Sequence, residues 1–190
     1  GVMLACIASR VFHSALVAIA LAMSVPAFGE PTDLDPSFGV AGVARLTSDV
    51  WLQGAAIYPD GRVALLVGDR AAPYAQSVVR VDAAGRLDTS FAPVKALPGG
   101  FRIDSIAVTS AGRLVTLQNY LQTPNGETRV TSHLDNGTLD PAFGDAGNAL
   151  VSRFPYRSDA HLGEFGELSR GLAVEPSGRL YAAIWLNSSP

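Results

Sequence analysis

The chain has 190 residues, 48% hydrophobic and only 16% charged, a balance that excludes a disordered polyelectrolyte and calls for a buried core. A formal net charge of −3, with Lys95 the sole lysine and no basic run, excludes the positive face that a nucleic-acid partner needs. The single cysteine, Cys6, leaves no internal disulfide and no cysteine-built zinc site.

From the N-terminus, a weakly cationic opening with Arg10 and His13 leads into the apolar run from Ala15 to Val25. Ala27 and Gly29 then give a small-x-small pattern ahead of Glu30. This is the pattern of an export signal over residues 1–29, expected as a helix that is cleaved on secretion to the periplasm or beyond. The run is too short to span a bilayer comfortably and is broken by Pro26, so no membrane association is expected after cleavage. Cys6 precedes the run and so cannot serve as a lipid acceptor behind it.

Beyond residue 30 the chain repeats itself. "LDPSFGVAG" at 34–42 returns as "LDTSFAPVK" at 87–95 and "LDPAFGDAG" at 139–147, with starts 53 and 52 residues apart. A period of this length marks a repeat architecture. Each unit also carries two apolar segments around a Gly-Arg turn: "AAIYPDGRVALLV" at 55–67, "SIAVTSAGRLVTL" at 105–117 and "GLAVEPSGRLYAAIW" at 171–185. Gly61, Gly112 and Gly178 suit tight hairpin turns, and the flanking Val, Ile, Leu and Tyr suit paired strands. Before the next Leu-Asp comes another strand, in which Val79 and Val81 alternate with Arg80 as in a half-buried strand. Asn136 and Gly137 read as turn residues.

A unit therefore holds about four short strands, as a propeller blade does. The fold class expected is all-β, a propeller-like repeat of four-stranded antiparallel blades at 34–86, 87–138 and 139–190, the last incomplete. Pairing of the same strands into a two-layer sandwich fits the pattern too. Within the cassette, Asp35, Asp88 and Asp140, each behind Leu34, Leu87 or Leu139, are placed to form Asx-turns. Phe38, Phe91 and Phe143 are placed to plug the gaps between units. One carboxylate per unit falls short of a calcium site, and no metal ligands are assigned.

These cassettes resemble the delta-60 repeat of exported bacterial proteins, in which a Gly-x-hydrophobic strand runs into Arg-hydrophobic-Asp, a Gly turn and Leu-Asp-x-x-Phe-Gly. "GRVALLVGD", "VVRVDAAGRLDTSF" and "HLDNGTLDPAFGDAGNALV" carry the resemblance, which covers residues 34–190. Ala92 departs from the expected Gly, and His133 stands where the pattern has Arg. The resemblance implies a propeller-like fold and an exported location, and it brings no catalytic residues.

The third unit breaks the spacing. From the Leu-Asp pair to the hairpin Gly takes 27 and 25 residues in the first two units but 39 in the third. The surplus falls in residues 152–171, a length that marks a functional or mobile loop. It gathers Tyr156, Arg157, Asp159, His161, Glu164 and Glu167, which are the candidate ligand-binding residues. His133 reads as a half-exposed strand residue. With no nucleophile elbow, phosphate loop or zinc-protease pair present, no catalytic residue and no cofactor is assigned. The function expected is an exported β-repeat binding or scaffold module, a piece of a longer array, able to self-associate through open blade edges. The alternative is part of a propeller enzyme, a hydrolase, lyase or dehydrogenase, whose funnel is completed by further blades.

Overall fold

The computed structural model describes residues 3–5, 34–46, 49–72, 75–122, 125–155 and 171–183. All of these are strand, bridge, turn or bend, with no helix among them, so the described chain is all-β. The export segment and its expected helix lie outside the described residues, save for β1 (Met3–Ala5). That short strand pairs antiparallel with β2 (Val43–Arg45).

Two four-stranded antiparallel meanders follow. The first sheet runs β3 (Val50–Ile57), β4 (Val63–Asp69), β5 (Gln76–Val81) and β6 (Val94–Lys95). The second runs β7 (Phe101–Val108), β8 (Leu114–Gln122), β9 (Asn125–His133) and β10 (Asn148–Pro155). A hairpin of β11 (Gly171–Val174) and β12 (Leu180–Ala183) comes after them. Strand β7 lies against both β3 and β11, so the first strands of successive units are neighbours.

Sheet and sequence period are out of phase by one strand. β6 and β10 come after the Leu-Asp cassette, yet they pair with β5 and β9 before it. The cassette itself causes this. Leu87 bridges back to Val81 and the Asp88 N–H donates to the Arg80 carbonyl, while Leu139 and Asp140 make the same contacts with His133 and Ser132. Each cassette is thus tied to the strand it follows and delivers the next strand along that strand's free edge. Asp35, Asp88 and Asp140 tighten the turn by accepting the N–H two residues on, at 2.9, 3.0 and 3.1 Å.

The first and second sheets each bury apolar side chains on both faces. This explains why Val63 to Val67 are all buried where simple alternation would expose every second residue. Between the two sheets, Ala64, Leu66, Val78 and Phe91 meet Ile103, Ile106 and Leu114. Beyond the second sheet, Val115, Leu117 and Val130 meet Phe143 and the inner side of the β11–β12 hairpin, Leu172, Val174, Leu180 and Ala182. Phe91 and Phe143 therefore occupy matching places, each on the far face of its own sheet. Phe38 lies on the near face of the first sheet with Val63, Leu65, Val67 and Val81. Burying such a ring contributes about 1.5–3 kcal/mol each.

Two readings of single residues are corrected by this stacking. Arg80 does not sit on a solvent face: it is 1% exposed, because the second unit covers the side of β5 that alternation assigned to water. His133 is 4% exposed rather than half-exposed. It does not replace an arginine either, since the register pairs Ala64 with Arg80 but Val115 with Ser132, leaving His133 at the level of Val81.

Candidate functional site

The densest gathering of ionisable groups among the described residues lies between the first and second sheets, around Arg80. β5 projects Arg80 toward the second unit, where its guanidinium is flanked by the rings of Phe91 and Tyr58, at 4.6 and 5.3 Å from the ring centroids. Its Nε and Nη2 both donate to Asp88 Oδ2 at 2.8 Å, a fork closed by the cassette turn. Nη1 reaches across to Asp135 Oδ1 in the 134–138 turn of the second unit, at 2.7 Å. Arg62, on the β3–β4 turn, donates Nη1 to the same oxygen at 2.8 Å and Nε to Asp60 at 2.7 Å.

Electrostatics follow from this geometry. Burial opposes the charge of Arg80, but its hydrogen bonds to Asp88 and Asp135 outweigh the cost and raise its pKa. Asp88 is held below the ordinary carboxylate value by Ser90 and then by Arg80. Burial works against ionised Asp135 as well, and the two guanidiniums that share it prevail, so its pKa is lowered. Tyr58 is pushed up by burial, with the neighbouring Arg80 opposing the shift, and its buried hydroxyl makes no hydrogen bond of ordinary geometry among the described residues. The arrangement holds two units together. Both carboxylates are engaged as counter-ions, Asp88 buried at the junction and Asp135 at its exposed rim.

A second polar chain crosses the same junction. The Gln118 amide receives the Leu97 N–H at Oε1 (2.7 Å) and donates Nε2 to the hydroxyls of Thr116 and Thr131, at 2.8 and 3.2 Å. Thr131 contacts Thr116 at 2.6 Å and His133 Nε2 at 2.8 Å, and His133 Nδ1 faces the Gly137 carbonyl at 3.3 Å. A carbonyl can only accept, so the neutral ring carries its proton on Nδ1 and Nε2 accepts from Thr131. That choice sets the direction of the whole chain, from Gln118 to Gly137. Burial lowers the His133 pKa, with the Gly137 carbonyl opposing it only in part.

On the near face of the first sheet lies a cavity of about 770 Å³. Val40, Val43, Ala44 and Leu46 of the first cassette and β2 form one wall, Val67 and Val79 the other, with Arg45 and Arg86 also lining it. Arg86 is 79% exposed and paired with Asp82 at 2.8 Å.

Of the residues expected to bind a ligand, Tyr156, Arg157, Asp159, His161, Glu164 and Glu167 all lie outside the described residues. The Arg80 cluster was not legible as a site, because one arginine in an alternating strand looks solvated until the neighbouring unit is in place. A usable signal existed in Tyr58, a large aromatic where the other two units have Thr109 and Glu175. Among the described residues no three His, Cys, Asp or Glu side chains are grouped to hold a metal ion. No protein-family model matches the chain, and no curated protein matches it.

Proposed function

We propose that the chain is an exported binding or scaffold module whose sheets are blades of a β-propeller, of the delta-60 repeat type its cassettes resemble. One observation carries the blade reading: β7 touches β3 on one side and β11 on the other, while the fourth strands end each sheet away from that line. First strands side by side are what blades arranged about an axis present. The matching seats of Phe91 and Phe143 support a constant step from one sheet to the next.

The module's work is to hold blade-connecting loops in fixed positions, and the 152–171 insertion is the contact surface for a ligand. The engagement of Asp88 and Asp135 by arginines supports a structural role for this cluster, as a tie that keeps neighbouring sheets in register. Export is tested by fusing residues 1–190 ahead of a leaderless periplasmic phosphatase. Active reporter and a mature N-terminus at Glu30 are expected. An inactive cytoplasmic fusion overturns the export reading.

A further inference from the structure

One end of the junction between the first and second sheets is made by the 134–138 turn. Asp135 meets Arg80 and Arg62 there, the Asn136 carbonyl accepts the Ala92 N–H at 2.9 Å, and Gly137 lies close against the Ala92 carbonyl. The turn is braced from behind by His133, a buried imidazole whose Nδ1–H is directed at the Gly137 carbonyl.

The polar chain behind His133 fixes where its hydrogens stand. Leu97 N–H donates to Gln118 Oε1, so the Gln118 amide must turn its NH2 group to Thr116 and Thr131. Thr131 Oγ1 then accepts from Gln118 and Thr116, and its own hydrogen goes to His133 Nε2. Each of these hydrogens has an acceptor only while Nε2 is bare. A proton on Nε2 meets a donor. To accept it, Thr131 must turn its hydrogen back to Thr116, whose own hydrogen then has no acceptor in the chain. The result is a stranded buried donor beside a buried charge.

Among the described residues, the charged groups on the elements around His133 are engaged with one another. Arg80 of β5 holds Asp88 and Asp135, and Arg62 holds Asp60 and Asp135. Arg86 holds Asp82, Arg129 of β9 holds Glu127, and Arg113 faces Asp140, while Lys95 of β6 is exposed. An imidazolium at position 133 thus gains no ready counter-ion.

We propose that the 134–138 turn is an acid-released latch: protonation of His133 frees the turn from Ala92, Arg80 and Arg62, and the first two sheets part at that end. The Gln76–Ile103 tie and the apolar junction hold the other end. The closed latch keeps His133 neutral and the open one lets it protonate, so the latch is shut above the ordinary histidine value of 6.5 and opens beneath it. The latch needs neither a propeller nor export.

Amide hydrogen exchange of the full chain, followed by NMR between pH 7.5 and 5.5, tests it. With the intrinsic pH dependence of exchange divided out, the opening constant at the Ala92 N–H should be level above the histidine value. Below it the constant should rise by up to about tenfold per unit, as uptake of one proton requires. Dilute urea should leave Ala92 nearly unaffected, since a local opening exposes little surface, and should speed Leu65 and Val115 steeply. His133→Gln should flatten the pH response. Asp135→Asn, which weakens the tie but leaves the imidazole, should raise the opening constant at least threefold at pH 7.5 and keep the slope. An Ala92 amide that exchanges only together with the core amides overturns the proposal. So does an opening constant flat over that pH range, or an unchanged slope in His133→Gln.

Discussion

The side-chain amide of Gln76 in β5 meets both backbone polar groups of Ile103 in β7: Ile103 N–H donates to Oε1 and Nε2 donates to Ile103 O, each at 3.0 Å. One glutamine thereby acts as a piece of strand joining two sheets that share no ladder. Gln76→Ala leaves a buried N–H and a buried carbonyl without partners and should cost about 2–4 kcal/mol. Urea denaturation measures this, and Gln76→Leu, similar in size, should recover none of it.

Arg80 should be the most sensitive charged residue. Arg80→Ala removes the cover of two rings and strands Asp88, and the loss expected is about 3–5 kcal/mol, as for breaking a buried ion pair. Arg80→Lys should regain less than half, because an ammonium cannot bond Asp88 with a fork while reaching Asp135. Asp135→Ala should cost only about 1 kcal/mol, its side chain being 65% exposed. Equal losses at Arg80 and Asp135 in chemical denaturation would refute the assigned hierarchy.

Stability should fall on mild acidification. Burial keeps His133 neutral in the fold, below its ordinary 6.5, while the unfolded chain protonates there normally. Stability is complete above that value and is lost as pH falls beneath it, by about 1.4 kcal/mol per unit, until the folded form protonates too. Denaturation midpoints at pH 7.5 and 5.5 show the drop, which His133→Gln should at least halve. The lowered carboxylates Asp88, Asp135 and Glu127 act in a separate window, holding their contribution above pH about 4 and losing it below.

Two glycines of similar conformation should respond differently to alanine. Gly112 has φ +72° and open space where a Cβ would stand, so Gly112→Ala meets only left-handed strain, about 1–2 kcal/mol. Gly137 has φ +88° and the Ala92 carbonyl oxygen 2.2 Å from an ideal Cβ, in a turn whose Asn136 carbonyl accepts the Ala92 N–H. Gly137→Ala must part the turn from the cassette and should lower the melting temperature at least twice as far as Gly112→Ala does.

Local chemistry was legible in the chain; partnership across it was less so. Leu-Asp-x-x-Phe announces its turn because Asp88 and Ser90 settle that geometry between themselves, and Gly61 or Gly112 marks a hairpin for the same local reason. Which sheet receives β6 or β10 depends on a bridge between Leu87 and Val81, or Leu139 and His133, and no spacing rule contains it. Burial of Arg80 and His133 needs a second layer that alternation along a single strand does not reveal. The one-residue difference between "VDAAGRLD" and "LDNGTLD" also hides that Ser132, not His133, matches Arg80.

The one-strand offset between repeat and sheet has a bearing on how such a chain grows. A duplication that inserts a whole period hands one fourth strand backward and receives one from ahead, so every third strand still finds an equivalent partner. Excision of a whole period is equally harmless, whereas a chain broken just before Leu87 or Leu139 would part a cassette from the strand that anchors it, as a break at the edge of a sheet would not. Lengthening by whole periods is thus written into the stagger, and it leaves the chemistry of both termini as it was.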